Sequence, residues 1–132
     1  MPLITIGPSP QIFLRNGSFA HVGEALDRGF HVIVFPEGTR SPDGTLASFR
    51  PGIGLLTKQS FCAVLPVALR GLGDLKTRQR RWFRSGTIQV RIGEPVRFSA
   101  NEPENAITAR LRSEVDELLT SEKPHPNNQS QV

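Results

Sequence analysis

The sequence has little of several features that define other classes of protein. It contains a single cysteine, Cys62, so no internal disulfide can form, and its apolar neighbours Ala63–Leu65 predict a buried core thiol in a reducing compartment. No apolar run approaches the roughly 20 residues of a membrane span. Residues 1–9 have neither the charged start nor the apolar stretch of a signal peptide, so we expect a cytoplasmic protein.

Positive charge is in modest excess, and one segment supplies it. The net charge is +4, while residues 70–84 alone hold six bases and one acid. Trp82 and Phe83 lie in this segment beside three arginines: Arg80, Arg81 and Arg84. Such a composition fits an anionic membrane surface. It also fits a solvated basic loop or a nucleic-acid contact, although no nucleic-acid motif accompanies it.

The order of the predicted elements favours an α/β fold. Apolar spacing predicts a helix over 18–28 and another that follows the capping-box pattern of 99–102 and ends near residue 120. Residues 52–60 predict a short helix between them. Apolar or alternating runs predict strands over three ranges: 31–35, 62–69 and 87–92. Residues 1–11 predict no clear element.

These elements predict one layered domain over residues 1–120, with a mixed sheet and flanking helices. Its length suits a single domain. Residues 121–132 are polar and predict a disordered tail.

The most informative stretch is Phe35-Pro36-Glu37-Gly38-Thr39-Arg40-Ser41, which follows a predicted strand. Proline cannot continue a central ladder, and glycine permits a sharp turn, so the strand should end here. Glu37, Thr39 and Arg40 would then project from its carboxyl end, where α/β sheets bind ligands. A guanidinium can form paired, charge-assisted hydrogen bonds to a phosphate.

This stretch resembles the third sequence block of the glycerolipid acyltransferases of the lysophosphatidic acid acyltransferase type. Three further features agree in order. Ile12–Arg15 is similar to the end of the second block, Phe49–Gly52 to a Phe-Lys-x-Gly element, and Val64–Leu69 to the fourth block, an apolar strand with a fixed proline. The resemblance runs from about residue 12 to residue 96.

The resemblance implies transfer of an acyl chain to a lysophospholipid or glycerol phosphate, as in phospholipid biosynthesis. The acyl thioester of coenzyme A or acyl carrier protein would be the co-substrate, and no metal or tightly bound cofactor is implied. By position, five residues would bind the substrate phosphate: Arg15, Glu37, Gly38, Thr39 and Arg40. Pro66 would shape the acyl side, and the lipid substrate favours a membrane-facing role for Arg80, Arg81, Trp82, Phe83 and Arg84.

The family's general base is a histidine in a His-x-x-x-x-Asp block that precedes the second block. None of the three histidines here has that partner: Leu26 follows His21 by five residues, Pro36 follows His31, and Ser130 follows His125. His21 instead predicts a polar helix position, and His31 the start of a strand.

We therefore expect an amino-terminally truncated acyltransferase domain that is inactive alone and has its missing part as a partner. Missing strands would expose a sheet edge and favour self-association. The alternative is a noncatalytic module that binds phospholipid. In either case we expect a peripheral location at the inner face of a membrane.

Overall fold

The computed structural model describes residues 2–6, 19–38, 45–71 and 87–121. Within these ranges the chain forms four strands and three helices. Their order is β1 (Pro2–Ile6), α1 (Ala20–Asp27), β2 (Val32–Val34), α2 (Gly52–Ser60), β3 (Val64–Arg70), β4 (Gln89–Ile92) and α3 (Glu104–Thr120). The helix over 52–60 has the predicted bounds, and the other predicted elements shift by a few residues at their ends.

The four strands form one sheet in the order β2-β1-β3-β4. Strand β1 runs antiparallel to both β2 and β3, and β4 runs antiparallel to β3. The α/β class agrees with the sequence, but the expected mixed sheet is wrong for the described strands. Because β1 lies between β2 and β3, these two strands share a direction without pairing, and both end at the same side of the sheet.

Strand β1 has no counterpart among the elements predicted from the sequence. Its five residues pair with β2 on one side and β3 on the other, and Ile4 lies opposite both Val34 and Pro66. Hydrogen bonds to two neighbouring strands therefore stabilise β1, and such long-range pairing leaves no local signal in a segment rich in proline and glycine.

Pro66 lies in the interior strand β3, where a missing N–H group is usually costly. Its carbonyl accepts a hydrogen bond from the Gly93 amide at 2.9 Å, just beyond the end of β4. Val67 of β3 lies opposite Ile92, and Val64 lies opposite Val96. Three steps along β3 thus match four steps along the segment that follows β4, so that segment contains one extra residue. The ladder thus bulges beside Pro66, and the sheet tolerates the absent donor there.

Helix α3 packs on the sheet through the apolar residues that its spacing predicts. Ile107, Leu111 and Val115 are fully buried, and they join Val64 and Ala68 of β3 in one core. The capping-box prediction needs a correction. The Glu102 carboxylate accepts a hydrogen bond from the Ser99 amide at 3.0 Å, but the helix begins only after Pro103. Because proline is favoured at or near a helix start, the polar pair closes a turn before the helix.

Helices α2 and α3 approach closely at Gly54. A Cβ atom on this residue would collide with the Glu104 carbonyl and with the Thr108 side chain, so only glycine permits this spacing. Cys62, just after α2, is 4% exposed, which confirms the predicted core thiol. This packing holds α2, and with it the segment that enters α2, at a fixed distance from α3.

Candidate functional site

The residues after β2 form a tight turn. The Gly38 amide donates a hydrogen bond to the Phe35 carbonyl at 3.1 Å, which places Pro36 at the second position of the turn. Proline favours that position because its ring presets φ. Gly38 has φ of +69°, a left-handed conformation that side chains disfavour. The Pro36-Glu37-Gly38 sequence thus ends the strand, as predicted.

Glu37 is buried in this turn, with 8% of its surface exposed. Its carboxylate accepts a hydrogen bond from the Ala47 amide at 2.7 Å. Hydrogen bonds to an ionised acceptor are stronger than neutral ones, by roughly a factor of two. Glu37 therefore holds residues 45–50, which we call the 45–50 loop, against the turn.

Two further contacts fix the 45–50 loop. The Arg50 amide donates to the Pro36 carbonyl at 2.9 Å. From the opposite side, the Arg112 guanidinium of α3 donates to the carbonyls of Leu46 and Ala47 at 3.3 and 3.4 Å. The loop is thus bound both to the turn after β2 and to the core helix.

The Arg50 side chain lies directly over the backbone of Gly38. A Cβ atom at Gly38 would lie 2.8 Å from both Cδ and Cζ of Arg50, and closer still to Nε. The sequence alone does not place Arg50 in the site. The only sequence signal for Arg50 is its position in Phe49–Gly52, where the family element has a lysine. Its proximity to Gly38 could not be predicted, because it depends on the 45–50 loop returning to the turn after β2.

The structure describes three of the six residues predicted for the substrate: Glu37, Gly38 and Pro66. The first two meet in the turn. Pro66 is buried in β3, level with Val34 across β1, so one strand separates it from β2, the strand that leads to the turn. The remaining predictions lie outside the described residues: Arg15, Thr39, Arg40, the membrane-facing set Arg80, Arg81, Trp82, Phe83 and Arg84, and the tail.

An open cavity of about 380 Å³ adjoins the 45–50 loop. Phe49 and Pro51 line one side, and Thr108, Ala109 and Arg112 of α3 line the other. The same arginine that holds the loop thus also forms part of a concave surface beside it.

Metal-ligating side chains do not cluster in the part of the chain that the structure describes: no group of three or more His, Cys, Asp or Glu residues could hold an ion there. Among the described helices, none combines the length and apolar character needed to cross a bilayer.

Known proteins resemble this chain in the region that contains the turn and the loop. A model of the family described as Acyltransferase matches residues 12–70. A chloroplastic 1-acyl-sn-glycerol-3-phosphate acyltransferase of Arabidopsis thaliana is 38% identical over 77 residues, which are 58% of this chain and 22% of that protein. The human 1-acyl-sn-glycerol-3-phosphate acyltransferase alpha is 33% identical over 89 residues, which are 66% of this chain and 31% of that protein. Over residues 12–70 the chain thus resembles the acyltransferase family.

The fold of this chain also has a counterpart among solved structures. The 1-acyl-sn-glycerophosphate acyltransferase PlsC from Thermotoga maritima is 33% identical, with a TM-score of 0.63, over 86% of this chain and 49% of that one. The α/β class and the family resemblance are thereby confirmed. The chain spans about half of that structure and less than a third of the two enzymes above.

Proposed function

We propose that this chain forms the acceptor-binding part of a glycerolipid acyltransferase, with a 1-acyl-glycerol phosphate or glycerol phosphate as acceptor. The names of its relatives support this choice, because they are 1-acyl-sn-glycerol-3-phosphate acyltransferases. The acyl donor would be a thioester of coenzyme A or of acyl carrier protein, used as a co-substrate.

The observation that carries the proposal is the hydrogen bond from the Ala47 amide to the buried Glu37 carboxylate. It binds the 45–50 loop to the turn that begins the family's third block, so the Phe49–Gly52 element and the described part of that block, residues 35–38, form one unit. In the proposed site, Glu37 acts by positioning the loop. Arg15, Thr39 and Arg40 supply donors to the phosphate dianion, and Gly38 leaves its approach open.

The reaction needs a base that this chain's sequence does not show. The acceptor hydroxyl oxygen attacks the thioester carbonyl carbon, the carbon–sulfur bond breaks, and the hydroxyl proton passes to a general base while the thiolate takes up a proton. None of the three histidines has an aspartate five residues later. We therefore propose that the isolated chain binds the acceptor without turnover.

The place of action would be a membrane surface, because the proposed acceptor is a lipid. Trp82 and Phe83 among Arg80, Arg81 and Arg84 would contact anionic headgroups at the inner face of the membrane. A noncatalytic phospholipid-binding module would use the same phosphate site. The acyltransferase and the noncatalytic module would differ in turnover alone, measured when the acyl thioester and the missing general base are supplied.

The first experiment is a comparison of two short-chain ligands that stay monomeric in water. The purified chain is titrated calorimetrically with 1-hexanoyl-sn-glycerol 3-phosphate and with 1-hexanoylglycerol, which lacks the phosphate. We expect the phosphate-bearing ligand to bind at least about tenfold more tightly, as one charge-assisted hydrogen bond can supply. Equal affinity for the two ligands would contradict the proposed function.

The second experiment measures thiol release from an acyl thioester in the presence of the lysophospholipid. We expect no release above the protein-free rate, since no histidine of this sequence has the aspartate five residues later that the family's base has. Release that Arg40→Ala abolishes would show that the chain contains the whole catalytic machinery, and that part of the proposal would be wrong.

A further inference from the structure

The proposed reaction, as described above, assigns no role to Arg50. This residue is exposed, yet its guanidinium lies on the backbone of Gly38, and its own amide is bonded to Pro36. The side chain therefore leaves a fixed point of the turn and lies along its surface. Because it is exposed and lies on the turn, the guanidinium can donate hydrogen bonds to an anion that binds there.

The guanidinium has no partner of its own among the described residues. Several other arginines in those ranges have one: Arg28 pairs with Glu24, Arg110 with Glu114, and Arg112 donates to loop carbonyls. The nearest fixed carboxylate, that of Glu37, makes no ion pair with Arg50 and accepts the Ala47 amide. Within the described ranges, no carboxylate thus pairs with the positive charge of Arg50 next to the start of the family's third block.

Gly38 is the residue that permits this arrangement. Any side chain there would have to adopt a left-handed φ of +69° and would collide with the Arg50 guanidinium. The glycine therefore serves two purposes, since it closes the turn and leaves room for the arginine. The residue that this glycine accommodates is an arginine, whose planar fork of five donors suits a phosphate. A lysine in place of Arg50 would present only a point charge.

We propose that Arg50 binds the acceptor's phosphate from the Gly38 side, as a cation additional to Arg15 and Arg40. This assignment rests on the proposed function. It makes the 45–50 loop part of the binding surface, and it gives the Glu37–Ala47 hydrogen bond a purpose: the bond fixes the segment that carries Arg50.

The test measures phosphate preference, defined as the dissociation constant for 1-hexanoylglycerol divided by that for 1-hexanoyl-sn-glycerol 3-phosphate. Arg50→Ala should lower the preference about tenfold or more, and Arg50→Lys should lower it less, because it keeps the charge and loses the fork. Affinity for 1-hexanoylglycerol should not change.

A matched control is Arg97→Ala. Arg97 is exposed and follows Val96, which bridges to Val64 at the opposite end of β3 from the turn. This variant should keep the wild-type preference. Gly38→Ala should lower the preference as Arg50→Ala does, because it displaces the guanidinium while leaving its charge in the protein.

The outcomes separate the two proposals. If the wild-type chain shows no phosphate preference, the proposed function fails and the role of Arg50 fails with it. If the wild-type chain shows the preference and Arg50→Ala retains it, the role of Arg50 is overturned and the proposed function stands. A loss of affinity for both ligands alike would assign Arg50 a structural role and also overturn the inference. Should Arg50→Ala not fold, Arg50→Lys and Arg50→Gln decide by the same ratio.

Discussion

The core beneath α3 and the turn after β2 are stabilised by different interactions. In the core, Ile107, Leu111 and Val115 are fully buried against β3, and apolar burial supplies the free energy of folding. In the turn, a few directional contacts fix the geometry, chiefly Glu37 to Ala47 and Arg50 to Pro36. The two regions meet at Arg112, which extends from the core helix to the loop.

This difference separates stability from binding. Loss of a core side chain should weaken the whole fold, because every core residue packs against several others. Loss of a single contact in the turn should leave the fold in place and move the 45–50 loop. Variants in the two regions should therefore give different ratios of lost stability to lost phosphate preference.

The largest loss of stability is expected for Leu111→Ala in the core. Leu111 is fully buried, and truncation of such a leucine costs about 2–5 kcal/mol in the free energy of unfolding. Urea denaturation measures this loss, and Arg110→Ala, on an exposed position beside it, is the control. The folded fraction should keep the wild-type phosphate preference. If the phosphate preference of Leu111→Ala falls in proportion to its stability, the core and the turn do not contribute separately to stability and binding.

A smaller loss of stability with a large loss of binding is expected for Gly38→Ala. A residue forced into a left-handed conformation costs on the order of 1–3 kcal/mol, and Gly38 has φ of +69°. The displaced Arg50 should reduce phosphate preference about tenfold. Gly29→Ala is a matched control, since Gly29 has φ of +84° but no atom near its Cβ position. Equal phosphate preference in the two variants would show that the collision with Arg50 has no consequence.

The Glu37→Gln substitution should have a moderate effect, of about 1 kcal/mol on stability. Glutamine can still accept from the Ala47 amide, but the bond loses its charge assistance. Glu37→Ala removes the acceptor and should cost more, and Glu117→Gln, at an exposed position of α3, should cost almost nothing. If Glu37→Gln and Glu37→Ala prove equally mild in urea denaturation, the carboxylate does not hold the loop.

The smallest effect on stability, within about 0.5 kcal/mol, is expected for Ile33→Lys. Ile33 is 58% exposed on β2, the strand that ends the described sheet beyond β1. Such an apolar edge favours pairing between copies, and a charge opposes it. Sedimentation velocity should show self-association of the wild-type chain and less of it for the variant. A wild-type chain that sediments as a monomer at every concentration would contradict this expectation.

The sequence predicts those parts of the fold that local patterns determine. The buried face of α3 follows from apolar spacing, and the end of β2 follows from Pro36 and Gly38, while α2 has the bounds that were predicted for it. Strand β1 escapes prediction because its stability comes from pairing with two distant strands. The unpredicted strand β1 also explains why the sheet is antiparallel. It lies between β2 and β3, which share a direction and would otherwise be expected to pair in parallel.

The site shows the same division between local and long-range information. Glu37 and Gly38 are predictable because they belong to one short motif. Arg50 is not, since two long-range contacts, at Pro36 and Ala47, bring its segment back to the turn. The specific role of Glu37 also depends on the fold, because its partner lies ten residues further along the chain.

The most direct test of the phosphate site is a two-dimensional ¹⁵N–¹H NMR titration of the purified chain with 1-hexanoyl-sn-glycerol 3-phosphate. The amide signals of Gly38, Ala47 and Arg50 should shift and saturate together, while those of α1 stay in place. The phosphate-free 1-hexanoylglycerol should leave all three unchanged. Saturable shifts confined to other residues, or equal shifts with both ligands, would contradict the proposal that this turn and loop bind the phosphate.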